Sequence, residues 1–217
     1  MRQAAARGGN RMIIADTVNE QMHELILNLI LERKIKPGER VNPKQIAEDN
    51  HVSLMPVRNA LQQLTTEGLL ETHQRVGVFV REYSDRELAQ IGEVRKLYEL
   101  YCLEHFADRI DRSEVLELYH QIEKREPRSR AMIALDEQLH RMIVVASGNP
   151  FLIQQYSGMQ NLIRIHMYHE HADAEASKKA HLEILEALYK ANYSGAYLAL
   201  ANHLDEVTKM YKENEEV

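Results

Sequence analysis

The chain reads as mainly α: an N-terminal winged helix-turn-helix followed by an all-α antiparallel six-helix bundle. Three observations predict this. Nine glycines and five prolines in 217 residues leave little room for a turn-rich, sheet-rich architecture. The stretch LLETHQRVGVFVREY alternates around Gly77 with β-branched and aromatic residues, and it is short enough for one hairpin. From Ser84 onward, long amphipathic runs follow one another across short breaks with no strand signal.

The elements of the first third follow in order. TVNEQMHELILNLILERKI, from Thr17, sets Val18, Met22, Leu25, Ile26, Leu29 and Ile30 at helical spacing, and Thr17 with Glu20 has the form of a capping box. KPGE at 36–39 ends that helix in a tight turn. NPKQIAEDN predicts a short helix, with Asn42 as N-cap and Pro43 in the first turn. HVS is a three-residue turn, and LMPVRNALQQLTTEG forms the next helix, with Val57, Leu61 and Leu64 on its buried side and Gly68 as its stop. Ser53 reads as the cap of that helix, its oxygen meeting orphan backbone donors. Pro56 falls in the first turn, where a missing N–H costs nothing. Arg58 then projects from the exposed side of the N-terminal turns, the part of a recognition helix that reaches base edges or phosphates in the major groove. Taken alone, 42–70 is also compatible with a plain capped helical hairpin; the KPGE turn before it and the hairpin after it favour a DNA-binding module.

The bundle is expected as helices over 84–110, 112–124, 131–147, 151–168, 178–190 and 194–213, the first opened by a Ser84–Glu87 capping box, with HEHADAEAS at 169–177 as a loop. The expected division is a flexible N-terminal arm at 1–16, a DNA-binding domain at 17–83 and a helical domain at 84–217. MRQAAARGGNRM carries three arginines without an apolar core, so it is not a secretory signal. No run of 18 apolar residues exists to span a membrane. The single cysteine, Cys102, cannot form an internal disulfide, which fits a reducing cytoplasm. The net charge of −6 is uneven: residues 1–83 hold 11 basic against 10 acidic side chains, and 84–217 hold 16 against 23. Any nucleic-acid contact therefore belongs to the first third.

Within the bundle, DEQLH spaces Asp136 and His140 four residues apart on one helix face, so both can reach one ion. His181 continues the core stripe of Ile184, Leu185 and Leu188, and His203 that of Leu200, Leu204 and Val207. Imidazoles and a carboxylate buried unpaired are costly, whereas a shared divalent cation satisfies them all. The competing reading is that each is a hydrogen-bonded core histidine. His166, His169 and His171 straddle a helix end and a polar loop and read as a solvated surface cluster. Arg95 and Arg164 remain as unexplained cations in the bundle. Arg95 either points inward, where it would suit a carboxylate ligand, or makes a surface ion pair with Glu99 at i,i+4.

The first domain resembles the GntR family of bacterial transcriptional regulators in PGERV, in IAEDNHVSLMPVRNALQQLTTEGLL and in the Gly77 hairpin. The second resembles the FadR-type bundle named FCD in EVRKLYEL, DEQLHRMIVVASGNPFL, HLEILEAL and the late NHL; together these cover nearly all of 17–210. The resemblance implies a homodimer on a palindromic double-stranded operator, with the bundle sensing a small organic acid. It also implies a divalent metal (zinc, nickel or manganese) on Asp136, His140, His181 and His203, with Arg95 and Arg164 as partners of a carboxylate effector. Four positions depart from the family pattern. Leu54 stands in place of the usual arginine, Met55 in place of a small polar residue and Asn59 in place of a glutamate. Val76 precedes the wing glycine, with Arg75 one step earlier. Lys44, Ser53, Pro56, Arg58, Arg75 and Gly77 are expected at the DNA, with Leu54 or Met55 reading a thymine methyl. A ligand-responsive transcription factor is thus expected; the alternative is a metal-dependent hydrolase or lyase whose helix-turn-helix serves dimerisation.

Overall fold

The computed structural model describes residues 17–127, 129–168 and 173–213. The expected arm at 1–16, His169 and His171 lie outside these residues, as does the side chain of His166. The chain divides into two compact units, one holding the residues up to Thr66 with Leu70–Val80, the other Glu67–Leu69 with Arg81–Val217.

The first unit contains α1 (Val18–Leu31), β1 (Arg40–Val41), α2 (Pro43–Asp49), α3 (Leu54–Thr66), β2 (Leu70–His73) and β3 (Gly77–Val80). Thr17 and Glu20 close the capping box of α1: Thr17 Oγ1 accepts from the Glu20 amide at 3.3 Å, and Glu20 Oε2 accepts from the Thr17 amide at 2.6 Å. Asn42 Oδ1 receives the Lys44 and Gln45 amides at the head of α2, with Pro43 in the first turn. The tight turn between α2 and α3 puts His51 at φ 54°, and the Val52 amide bonds back to the Ala47 carbonyl at 3.0 Å. α1 packs on α3, and Ile26, Val57, Leu61 and Leu64 are buried there. Each such side chain contributes about 1.5–3 kcal/mol by leaving water.

The sheet has the order β1-β3-β2, both pairs antiparallel, with Arg40 opposite Phe79 and His73 opposite Gly77. The hairpin is as expected; β1 is an addition, a two-residue strand that the Lys36–Glu39 turn lays against β3. Gly77, at φ 148°, closes the wing: a Cβ there would stand 2.7 Å from Arg40 Nε. Arg75 at φ 63° shapes the same turn.

The second unit is the six-helix bundle, with α4 (Asp85–Phe106), α5 (Arg112–Glu123), α6 (Arg130–Val145), α7 (Pro150–Tyr168), α8 (Ala174–Tyr189) and α9 (Tyr193–Glu213). Ser84 and Glu87 form the capping box of α4, and Asp111 and Ser129 cap α5 and α6. Two ends differ from expectation. α4 stops at Phe106 and passes into a 3₁₀ turn over Ala107–Arg109. α8 begins at Ala174 because Asp173 Oδ1 accepts from the amides of Glu175 and Ala176, turning part of the expected loop into its first turn. α4 packs against α9, α7 and α6, and α8 against α9 and α5. Leu103, Leu118, Ile122, Leu139, Ile143, Ile184 and Leu200 are buried in the core they share. Among the described residues, no helix is long and apolar enough to cross a membrane.

Candidate functional site

The centre of the bundle is polar. α4 carries Arg95 and Glu99, α6 Asp136 and His140, α7 Tyr156, α8 His181 and α9 His203. α4 runs against simple amphipathicity here: Arg95 is 2% exposed while Leu97, two residues on, is 69% exposed. The helix turns charge inward where its neighbours supply partners for it.

His140, His181 and His203 bring one ring nitrogen each to within 4.8 Å of the others, and all three are buried. His181 Nε2 stands 3.1 Å from His203 Nε2. Asp136 reaches two of the three rings, with Oδ1 3.4 Å from His140 Nε2 and Oδ2 3.4 Å from His181 Nε2. Burial pushes the His181 imidazole down to about 4, and pushes that of His203 well below its ordinary range, with neighbouring histidines adding to the shift. Both rings are therefore neutral near pH 7, the form that offers a lone pair. Among the described residues, Asp136 Oδ1, His140 Nε2, His181 Nδ1 and Arg95 Nη2 are buried and make no hydrogen bond. Orphaned buried polar atoms are uncommon, and two of these face each other across one small space.

Beside the cluster, Glu99 accepts from Arg95 Nε at 2.8 Å and from the Tyr156 hydroxyl at 2.7 Å through Oε1. His140 Nδ1 lies 2.5 Å from its Oε2. Burial alone would raise the Glu99 carboxyl, but Arg95 and His140 hold it at about 2. Burial likewise works against the Arg95 charge, yet Glu99, Tyr156 and Asp136 keep its pKa above the ordinary guanidinium value. Tyr156 is raised well above the usual phenol range by burial and by the Glu99 charge.

The sequence left Arg95 between an inward position and an ion pair with Glu99; the side chain does both, because the pair itself is buried. Its Nη2 lies 3.9 Å from Asp136 Oδ1. Arg164 needs correction. Its Nε and Nη2 bind the two oxygens of Glu137 at 2.5 and 2.8 Å, so its fork is occupied by a partner one helix away rather than offered to a ligand. Glu99 escaped the reading as part of the site because periodicity assigns charged residues outward. Its i,i+4 spacing to Arg95 was the available signal. Tyr156 carried none.

In the first unit, Lys44, Ser53, Arg58 and Arg75 are exposed, and Met55 is 60% exposed. Leu54 and Pro56 are half-buried at the start of α3, and Gly77 is half-buried in the wing. Among the described residues, no hydrogen bond or ion pair occupies the side chains of Lys44, Arg58 and Arg75, which leaves three cations and an apolar pair available on a helix-turn-helix and wing.

The family comparisons divide the chain along these lines. A model of the bacterial regulatory proteins of the gntR family matches residues 18–80, and one of the FCD domain matches residues 90–206, more than half the chain. The chain belongs to the GntR family, in its FCD branch. This GntR regulator is 29% identical to the HTH-type transcriptional regulator YdhC of Bacillus subtilis (strain 168) over 210 residues, covering 89% of this chain and 94% of that protein. A GntR regulator from Rhodococcus sp. RHA1 superposes with a TM-score of 0.77 at 19% identity, over 90% of this chain and 97% of that one, which speaks for the fold. The Zn2+-bound FCD domain of TM0439 matches at 26% identity and a TM-score of 0.56, over 61% of this chain and 96% of that domain. These families and relatives are transcriptional regulators and not enzymes. Glu137, the carboxylate beside Asp136 that an enzyme could have used as a base, is paired with Arg164.

Proposed function

We propose that this transcriptional regulator binds a palindromic operator as a homodimer in the cytoplasm, through Lys44, Arg58, Arg75 and the Ser53–Met55 corner of 17–83. We propose further that its 84–217 domain holds a divalent cation on Asp136, His140, His181 and His203. A small carboxylate would complete the coordination and meet the Nη2 end of Arg95.

The observation that carries the metal is the set of donor spacings. Two ligands about 2.0–2.1 Å from one ion stand roughly 2.9–3.4 Å apart, depending on whether their angle at the metal is near 90° or near 109°. His181 Nε2 and His203 Nε2 stand 3.1 Å apart, and Asp136 stands 3.4 Å from His140 Nε2 through Oδ1 and 3.4 Å from His181 Nε2 through Oδ2. A cation would also satisfy Asp136 Oδ1 and His140 Nε2, which make no hydrogen bond among the described residues. Three imidazoles and one carboxylate suit zinc, nickel and manganese alike. The metal-bound FCD domain of TM0439 supports the same reading by likeness. When bound, the ion supplies an electrophilic centre for an oxygen ligand; Arg95 supplies a fixed positive charge beside it. Effector occupancy would then alter operator affinity through a coupling free energy between the two domains.

The test is metal content of the purified protein beside the Asp136→Ala/His203→Ala double variant. About one zinc, nickel or manganese ion per chain in the parent and none in the folded variant is the expected result. No metal in either removes the site. Sedimentation with an operator duplex checks the dimer, and a monomer on DNA would overturn that part.

A further inference from the structure

We propose that Glu99 is the positioning residue of this centre: it fixes the ring of His140 with Nε2 toward the cation and holds the Arg95 guanidinium at the edge of Asp136. The inference rests on the metal reading above and concerns a residue outside the four ligands.

Glu99 is fully buried, and both of its oxygens are used. A carboxylate paired with an arginine can only accept, so the proton in the 2.5 Å contact sits on His140 Nδ1. With Nδ1 spent on Glu99, Nε2 is the nitrogen left to face a cation; among the described residues it makes no hydrogen bond, and it lies 3.4 Å from Asp136 Oδ1. A histidine ligand whose other nitrogen donates to a carboxylate has its tautomer and orientation set by that bond, and becomes a stronger donor. The same carboxylate spends Arg95 Nε, so that Nη2, which makes no hydrogen bond among the described residues, lies 3.9 Å from Asp136 Oδ1. One side chain therefore sets a ligand ring and the neighbouring cation. Tyr156 contributes a third contact, from α7, that limits where the carboxylate can go.

Stability alone is a poor reason for this arrangement. An apolar pair of similar volume generally serves a core as well as a buried ion pair does. Here α4 buries Arg95 and Glu99 and leaves Leu97 in solvent.

The experiment is a Co2+ titration of the full-length, chelator-stripped protein, read by visible absorption. The parent is compared with Glu99→Gln, Tyr156→Phe and His203→Ala. Glu99→Gln is expected to bind Co2+ about 10–100-fold more weakly, with a changed ligand-field spectrum. Tyr156→Phe, which keeps the carboxylate, is expected to retain the parent spectrum. If Glu99→Gln does not fold, Arg95→Gln/Glu99→Gln withdraws both buried charges together and is read the same way. Parental affinity and spectrum in whichever of these two variants folds overturn the role of Glu99 while the metal reading stands. A parent that takes up no Co2+, or takes it up equally after His203→Ala, overturns the metal reading instead. In that case the downfield Nδ1–H proton resonance of His140 in metal-free protein, present in the parent and lost in Glu99→Gln, still reports whether Glu99 holds the ring.

Discussion

His181 Nε2 and His203 Nε2 stand 3.1 Å apart on two consecutive helices, with both rings buried and both held neutral. Two neutral imidazoles can share a proton across that gap, or both can turn lone pairs on one cation. The choices differ in what metal does to stability. With one shared site, free Zn2+ at about 100 times its dissociation constant stabilises the fold by about 2.7 kcal/mol. For a chain of this size that raises the melting temperature by roughly 5–10 °C. Calorimetry of chelator-treated protein with and without Zn2+ is expected to show the rise, and His203→Ala to lose it. An equal rise in His203→Ala would move the metal elsewhere.

Acid should find the same histidines in metal-free protein. The fold keeps His181 neutral, at about 4 against an ordinary 6.5, so on acidification the unfolded chain takes up the proton first. The stability contributed is whole above about pH 6.5, falls as pH drops, and is exhausted near pH 4. It amounts to roughly 3 kcal/mol for this ring alone, at about 1.4 kcal/mol per pH unit. His203 shifts in the same direction and steepens the loss. Glu99, held at about 2, begins to cost stability only below its ordinary 4.5, so the two windows separate. Urea unfolding between pH 7 and 4 is the measurement; a flat profile from 6.5 to 5 would contradict the buried neutral rings.

Much of this geometry was legible in the chain, and the exceptions have a common cause. Val57, Leu61 and Leu64 are buried as their spacing predicts, and the Thr17–Glu20 and Ser84–Glu87 boxes form, because each depends on residues within one or two turns. The inward phase of His181 and His203 could be read from the leucines around them. What escaped depends on distant partners. β1 exists because Arg40 and Val41 meet Phe79 and Val78 across the unit. Glu99 is buried because Arg95, His140 and Tyr156 surround it from three helices. Arg164 is occupied by a carboxylate 27 residues earlier. Periodicity records which face of a helix is apolar, and α4 shows that a face can be filled by charge when other helices complete it.

The Arg164–Glu137 pair predicts a clean separation between structure and sensing. Both side chains are mostly buried and bonded through two contacts. Arg164→Ala leaves the Glu137 carboxylate without that fork and is expected to destabilise the bundle by about 1–3 kcal/mol. Metal affinity is expected to stay at the parental value, since neither residue touches the cluster. Glu137→Ala/Arg164→Ala should recover part of the loss, and the double-mutant cycle measures the coupling. Loss of metal binding in Arg164→Ala, with the fold intact, would return Arg164 to the site.

In the first unit, Arg58 offers the sharpest test of the proposed DNA contact, since it is exposed on α3 and no hydrogen bond or ion pair holds its side chain among the described residues. Arg58→Ala is expected to leave thermal stability unchanged and to weaken operator binding by about 1–3 kcal/mol if the guanidinium reads a base edge. The form of the loss distinguishes its role. A base contact relaxes preference at one position of each half-site, whereas a phosphate contact weakens all sequences alike and lowers the salt slope by about one. Met55, a large apolar side chain turned to solvent one turn away, is the companion test. Met55→Ser should reduce preference for a thymine while leaving the salt slope alone, because a methyl–methyl contact carries no charge. Fluorescence anisotropy on a selected operator, repeated at several salt concentrations, measures both. Parental affinity in Arg58→Ala at every salt concentration would take α3 out of the groove.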